Sequence, residues 1–272
     1  MNYKLTIGWL YPELMSTYGD RGNIIVLKQR LFLRGIGANI LEIDQTTTEK
    51  ELLKVDIVMG GGSQDREQEI VIVDLLKKKE TLRSLFSDGT PGLFVCGSPQ
   101  LLGHSYMTGD GAKIQGLGIF DMETVHPGAG KPRCIGNLVA EISDDMRYAI
   151  CGMRNTIVGF ENHGGRTILG SGVKPFAQVI VGSGNNGTDK TEGAVFQKCI
   201  ATYSHGPFLP KNPHIADWLI FQALTQKYHQ NIELAPLDDT LAWKAHEAML
   251  YRLGIKTGSP PEFTPHLDAG RG

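Results

Sequence analysis

Two rhythms alternate along the first hundred residues of this chain. Short apolar runs at 4–10, 38–43, 55–59 and 93–95 have the length and glycine-bounded ends of buried strands. Between them, residues 24–34 and 69–86 place apolar side chains three and four positions apart, the spacing of amphipathic helices. Lys77-Lys78-Lys79-Glu80 reads as the solvated face of the second helix. A helix between two strands is a crossover long enough to lay them parallel, so the chain opens as repeated β-α-β units.

After Gly109 the pattern shortens. Runs at 120–125, 134–142, 156–159 and 177–181 are separated by glycine, proline and asparagine turns, which predicts antiparallel pairing or a mixed sheet edge. Asn185-Asn186-Gly187 reads as a hairpin turn or loop. A further strand, 199–203, precedes Ser204-His205-Gly206-Pro207, and a helix runs over 213–224 from Pro213 with Asn212 as its expected cap. A last helix is expected at 239–253, followed by a proline- and glycine-rich tail at 258–272 that should fray. The organisation predicted is one α/β domain over 1–230 with a C-terminal helix and tail over 231–272.

Composition narrows the function. The 272 residues are 41% hydrophobic and 21% charged, enough for one large α/β domain, and the formal net charge is -2. That balance offers no basic field for nucleic acid or an anionic membrane, and favours a small neutral or zwitterionic ligand or a protein partner. No run reaches membrane-spanning length and the amino terminus carries no signal-peptide pattern, so a cytoplasmic location is expected. Cys96, Cys134, Cys151 and Cys199 show no CxxC spacing, which in a reducing compartment predicts free thiols, with neither a zinc site nor a disulfide framework.

Chemistry collects where strands end. In an open parallel sheet, ligands sit beyond the carboxyl ends of the strands. Gly60-Gly61-Gly62 follows one strand, Cys96-Gly97 another and His205 a third. Cys96 stands at a strand, turn, helix corner like the nucleophile elbow of hydrolases, and Gly97 suits the sharp turn. A cysteine nucleophile needs a base, and His205 is the histidine flanked like one. Glycine-rich turns leave backbone N–H groups free for an oxyanion, so acyl transfer has its three parts in Cys96, His205 and the glycines. Neither the GK[ST] phosphate loop nor the GxGxxG dinucleotide fingerprint is present.

Tyr18-Gly19-Asp20-Arg21-Gly22-Asn23, Gly60-Gly61-Gly62-Ser63-Gln64-Asp65, Cys96-Gly97 with Gln100-Leu101-Leu102-Gly103, residues 159–167 and His205-Gly206-Pro207-Phe208-Leu209-Pro210 occur in the order that resembles the class I glutamine amidotransferases of the cobyric acid synthase type. The resemblance spans residues 4–224. Within that family the chain is similar to the glutaminase subunits that serve lipid II amidation in peptidoglycan synthesis. The resemblance implies a flavodoxin-like three-layer α/β fold with a mixed, mostly parallel sheet. It implies L-glutamine hydrolysis through a cysteinyl thioester, with Cys96 as nucleophile, His205 as general base, Gly62 and Gly97 as oxyanion donors, and Gln100 and Arg133 in the substrate pocket. It implies no cofactor in this chain. ATP and Mg are expected on a Mur ligase-like partner subunit in a heterodimer, at the inner face of the membrane through that partner's lipid substrate.

Two departures stand out. Ser98-Pro99 replaces the family's Gly-Tyr at the elbow, and Pro207 stands where class I triads carry a glutamate two residues after the histidine. The base must then be oriented by another residue or by an acid of the partner. Three other readings stay open at this point: a cobyrinate-type amidotransferase module, a catalytically dead glutaminase-like binding subunit, and a cysteine peptidase.

Overall fold

The computed structural model describes residues 3–128, 130–147, 154–230 and 232–255; Cys151 and the tail at 258–272 lie outside them. The first half runs β1 (Lys4–Leu10), α1 (Arg21–Leu33), β2 (Gly37–Ile43), α2 (Glu49–Leu52), β3 (Ile57–Gly60), α3 (Asp65–Leu75), α4 (Lys79–Ser87), β4 (Gly92–Val95) and α5 (Gly97–Leu102). Short strands come next: β5 (Ser105–Met107), β6 (Lys113–Gln115), β7 (Met122–Val125) and β8 (Cys134–Ile142). After α6 (Asp144–Arg147) come β9 (Thr156–His163), β10 (Arg166–Leu169), β11 (Ala177–Val181), β12 (Thr191–Glu192), β13 (Ala194–Phe196) and β14 (Cys199–Thr202), then α7 (Pro213–Tyr228) and α8 (Thr240–Arg252).

The main sheet has the order β13-β14-β4-β3-β1-β2, parallel except for the antiparallel edge strand β13. Every residue of β3, β4 and β14 is buried, because helices cover both faces, and this explains why these strands read as continuous apolar runs. One face packs on α1 and α7 through Leu27, Leu31, Ile215 and Leu219; the other packs on α2 to α5 through Leu52, Val71, Leu82 and Leu101. The result is a flavodoxin-like three-layer sandwich. Two further sheets, β10-β7-β5-β6 and the antiparallel β12-β11-β8-β9, stand at the carboxyl side and wall the mouth of the sandwich. α8 closes over β8 and β9, with Leu250 against Val139 and Val158.

Three details differ from the sequence reading. The helix expected over 69–86 is two helices joined by a 3-10 turn at Leu76–Lys78. Lys78 is not on a solvated face: it is drawn in to bond the buried Asp74 carboxylate, which also accepts the Tyr11 hydroxyl at 2.7 Å. An ion pair of this kind outweighs the helical pattern of a lysine run. Asn212 does not cap α7 with its side chain. Its amide pairs instead with both backbone groups of Val158, at 3.0 and 2.8 Å, and with the Phe208 carbonyl, clamping the start of α7 to β9.

Candidate active site

The corner at Cys96 is built by strain that packing holds in place. Cys96 follows β4 with φ 54° and ψ -96°, a left-handed backbone that non-glycine residues rarely adopt. Its N–H is pinned to the Thr202 carbonyl at 2.9 Å, so the turn is fastened to β14. A Cβ on Gly97 would come within 2.7 Å of the Ser63 hydroxyl and 2.8 Å of the Ser63 nitrogen, which explains why only glycine fits. The unusual Ser98-Pro99 pair fits the corner too. Ser98 Oγ donates to the Gly61 carbonyl at 2.6 Å, tying elbow to glycine turn, and Pro99 lies in the first turn of α5, where its missing N–H leaves no helical bond unmade.

His205 comes to Cys96 through sheet register. β14 pairs parallel with β4, Thr202 opposite Val95, so the residues that leave the two strands emerge side by side. An isolated bridge to Phe160 then holds the His205 backbone, its N–H donating at 2.7 Å and its carbonyl accepting at 3.2 Å. The imidazole is fully buried. Its Nδ1 lies 3.3 Å from Asp20 Oδ1, its ring meets Tyr18 edge-on at 5.0 Å, and Nε2 is buried without a hydrogen-bond partner. Burial pulls the histidine's pKa down, yet the charges of Cys96 and Asp20 and their hydrogen bonds win and push it up to about 10.

Gly62 lies between His205 and Cys96. A Cβ there would meet His205 Cε1 at 2.8 Å and Cys96 Cβ at 3.4 Å. Its N–H donates to Asp20 Oδ2 at 2.7 Å, so the hydrogen bond that the sequence reading assigned to an oxyanion is held by a carboxylate in this structure. Asp20 was missed at the sequence level as an acid partner, although its turn was singled out; burial of a lone carboxylate is not visible in sequence. Pro207, at the position of the class I glutamate, packs where a Cβ on Gly22 would stand, against the first turn of α1.

A cleft of about 400 Å³ opens in front of Cys96, lined by Gly62, Asp65, Arg66, Gln68, Gln100 and Arg133 among others. Gln100 is buried and committed at both ends: its Oε1 accepts from Gln68 Nε2 at 2.8 Å and its Nε2 donates to the Tyr203 hydroxyl at 3.3 Å. Gln68 Oε1 and His163 Nε2, both from lining residues, are buried without hydrogen-bond partners, His163 Nε2 lying 3.9 Å from Glu161 Oε2. Arg133 reaches the rim from the start of β8, its Nε bonded to Asn162 Oδ1 at 3.0 Å and one terminal nitrogen to the Asn162 carbonyl at 3.1 Å, an exposed guanidinium aimed by a neighbouring strand. Cys96, Gly62, Gln100 and Arg133 line this cleft, whereas His205 and Gly97 lie behind it, His205 packed against Gly62 and Gly97 against Ser63. Among the described residues no group of three His, Cys, Asp or Glu side chains is placed to hold a metal ion, and no helix is long and apolar enough to cross a membrane.

The segment carrying His205 is anchored by a buried acid. Glu192 accepts from the Thr202 hydroxyl and from the Tyr203 N–H at 2.9 Å. Burial, with the Glu161 charge adding, pushes its pKa from 4.5 to about 7 against those hydrogen bonds. Below pH 4.5 folded and unfolded forms are both protonated, so this group adds no pH dependence. Between about 4.5 and 7 the folded form holds a proton that the unfolded form has lost, and stability falls as pH rises, by about 3 kcal/mol in all. Urea unfolding at pH 5.5 and 8 should show this fall, and Glu192→Gln should flatten it; an unchanged slope in the variant would count against the assignment.

Residues 6–213 match the CobB/CobQ-like glutamine amidotransferase domain. The chain is 41% identical over 227 residues to the glutamine-hydrolyzing lipid II isoglutaminyl synthase subunit GatD of Staphylococcus aureus (strain N315), covering 83% of this chain and 86% of that one. It is 36% identical over 246 residues to the GatD subunit of Streptococcus pneumoniae (strain ATCC BAA-255 / R6), covering 90% of each. A probable cobyric acid synthase of Methanothermobacter thermautotrophicus (strain Delta H) is 32% identical, but the match spans 40% of that protein. Among solved structures, a glutamine amidotransferase superposes with a TM-score of 0.53 at 14% identity, over 80% of this chain and 98% of that one, a likeness of fold. With the domain match running across most of the chain and two curated relatives alike over more than four-fifths of its length, this protein belongs to the CobB/CobQ-like glutamine amidotransferase family.

Proposed function

We propose that this chain is the glutaminase subunit of a two-subunit ligase: it hydrolyses L-glutamine to L-glutamate and ammonia and delivers the ammonia to a Mur ligase-like partner that amidates the D-glutamate of lipid II. The observation that carries the reading is the pairing of a strained, cleft-facing Cys96 with the buried His205. The identity to GatD subunits over more than four-fifths of both chains supports the choice of partner and acceptor. The cobyric acid synthases align with this chain over only a minority of their own length.

In this mechanism the Arg133 guanidinium takes the substrate α-carboxylate, a fork-to-fork pairing that fixes the amino acid at the rim. The side-chain amide then points inward to Cys96. Cys96 gives its thiol proton to His205 as the sulfur attacks the amide carbon, and the C=O electron pair moves onto oxygen, which takes a hydrogen bond from the Gly97 N–H. As the tetrahedral intermediate collapses, the C–N bond breaks and His205 gives its proton to the departing nitrogen, so ammonia leaves and a glutamyl thioester remains. Water attacks that thioester with its proton passing to His205; glutamate departs and the sulfur is restored. ATP and Mg belong to the partner's activation of the acceptor carboxylate.

The test is ammonia release from glutamine by the purified chain, alone and with the Mur ligase-like partner, coupled to mass analysis of lipid II. Glutamine-dependent gain of one amide on the stem peptide, lost when either subunit is left out, is the expected result. Ammonia release without any amidation of lipid II would redirect the acceptor.

A further inference from the structure

The acid missing at position 207 leaves the base without its usual orienting partner. Few polar groups stand beside the imidazole: the buried Cys96 sulfur, the exposed Tyr18 ring edge-on to it and the buried Asp20 carboxylate at Nδ1. Asp20 itself is only 4% exposed and comes from the loop between β1 and α1, 185 residues before the histidine. We propose that Asp20 is the positioning residue of this site, one carboxylate oxygen orienting His205 through Nδ1 and the other holding the Gly62 peptide, so that base and glycine turn are set together by a single side chain.

The geometry supports both halves. The bonds use different oxygens, Oδ1 at 3.3 Å to His205 and Oδ2 at 2.7 Å to the Gly62 N–H, which a carboxylate can accept at once. An Nδ1–H directed at Asp20 leaves Nε2 as the nitrogen that serves the sulfur. The loop is locked to the same turn at two more points: Thr17 donates its N–H to the Gly62 carbonyl at 3.0 Å, and a Cβ on Gly61 would strike the Met15 carbonyl at 2.3 Å. A displacement of the loop would therefore move His205 and Gly62 together. Because the Gly62 N–H is engaged by Asp20, the same carboxylate also determines whether that donor can turn to a developing oxyanion.

Asparagine is the discriminating replacement, since it keeps the size but offers one acceptor oxygen for two donors. In Asp20→Asn, the NMR titration midpoint of the His205 ring should fall by at least about one unit from its high value near 10, because one anion is lost. Its kcat for glutamine, measured in the complex with the partner, should fall about 100-fold with KM changed by less than about twofold. The wild-type chain gives a check that needs no variant: the Gly62 amide proton should be shifted downfield and protected from exchange, as a charge-assisted hydrogen bond requires. An unshifted, rapidly exchanging Gly62 amide would overturn the proposal. So would a folded Asp20→Asn protein with an unchanged histidine midpoint, or with a loss confined to KM. The kinetic arm rests on the glutaminase reading, whereas the two NMR arms do not: a lowered midpoint in a chain that never splits glutamine would keep the positioning role and sink the proposed reaction.

Discussion

Replacing Cys96 with alanine should abolish ammonia release from glutamine, with turnover falling by at least about 10⁴-fold, equivalent to about 5.5 kcal/mol of barrier. Nothing else among the described residues can take over the attack. Cys199 is fully buried in the sheet, and burial holds its thiol well above the usual cysteine range. Cys134 is buried on β8. Glutamine affinity should survive within about threefold, because Arg133, Gln68 and Gln100 do not depend on the sulfur. Isothermal titration with glutamine, together with single-turnover ammonia release, separates the two effects. A chloroketone analogue of glutamine should label wild-type Cys96 and leave Cys134 and Cys199 untouched. Undiminished release by the alanine variant would falsify the nucleophile assignment. A wild-type complex that binds glutamine, releases nothing and resists the label would instead fit the inactive binding subunit.

The two ends of the reaction were legible in sequence for a specific reason. Strands β3, β4 and β14 are apolar throughout because both of their faces are covered, and the turns that leave their carboxyl ends lie at the same edge of the sheet. Reading the residues after each apolar run therefore finds Gly62, Cys96 and His205 without knowing the strand order. The mostly parallel sheet was legible by the same route, since crossover helices fix strand direction. The features that escaped depend on polar pairing across long stretches of chain or inside a turn. Asp20 with His205, Asn212 with Val158 and Lys78 with Asp74 leave no periodic trace, because each is decided by which side chains meet after the layers have packed. Gln100 shows the same limit. Its place in the pocket was implied by the family resemblance, but its two hydrogen bonds to Gln68 and Tyr203, which hold it in the pocket wall, leave no trace in sequence.

Gly159 opens a stretch, 159–167, that carries the family resemblance, and Gly159→Ala should be among the most damaging substitutions away from the cleft. The residue lies in β9, paired with Leu138 on one side and pressed against the strand end that carries the base on the other. A methyl group there would come within 1.8 Å of Ser204 Oγ and 3.1 Å of the His205 carbonyl. Ser204 cannot retreat easily. It is fully buried, its N–H is tied to the Thr202 hydroxyl at 3.0 Å, and the next residue is bridged to Phe160. The strain must then pass into the His205 backbone. Overpacking of this kind costs about 1–3 kcal/mol of stability, and a base displaced by about 1 Å costs about 100-fold in kcat. Urea unfolding and the ammonia assay measure the two losses separately. Ser204→Ala removes the oxygen that the new methyl meets while keeping the Cβ, which stands 3.1 Å away. The double variant should therefore regain a substantial part of both losses, a non-additivity expected only of residues in direct contact. If Ser204→Ala restores nothing, the damage does not travel through this contact.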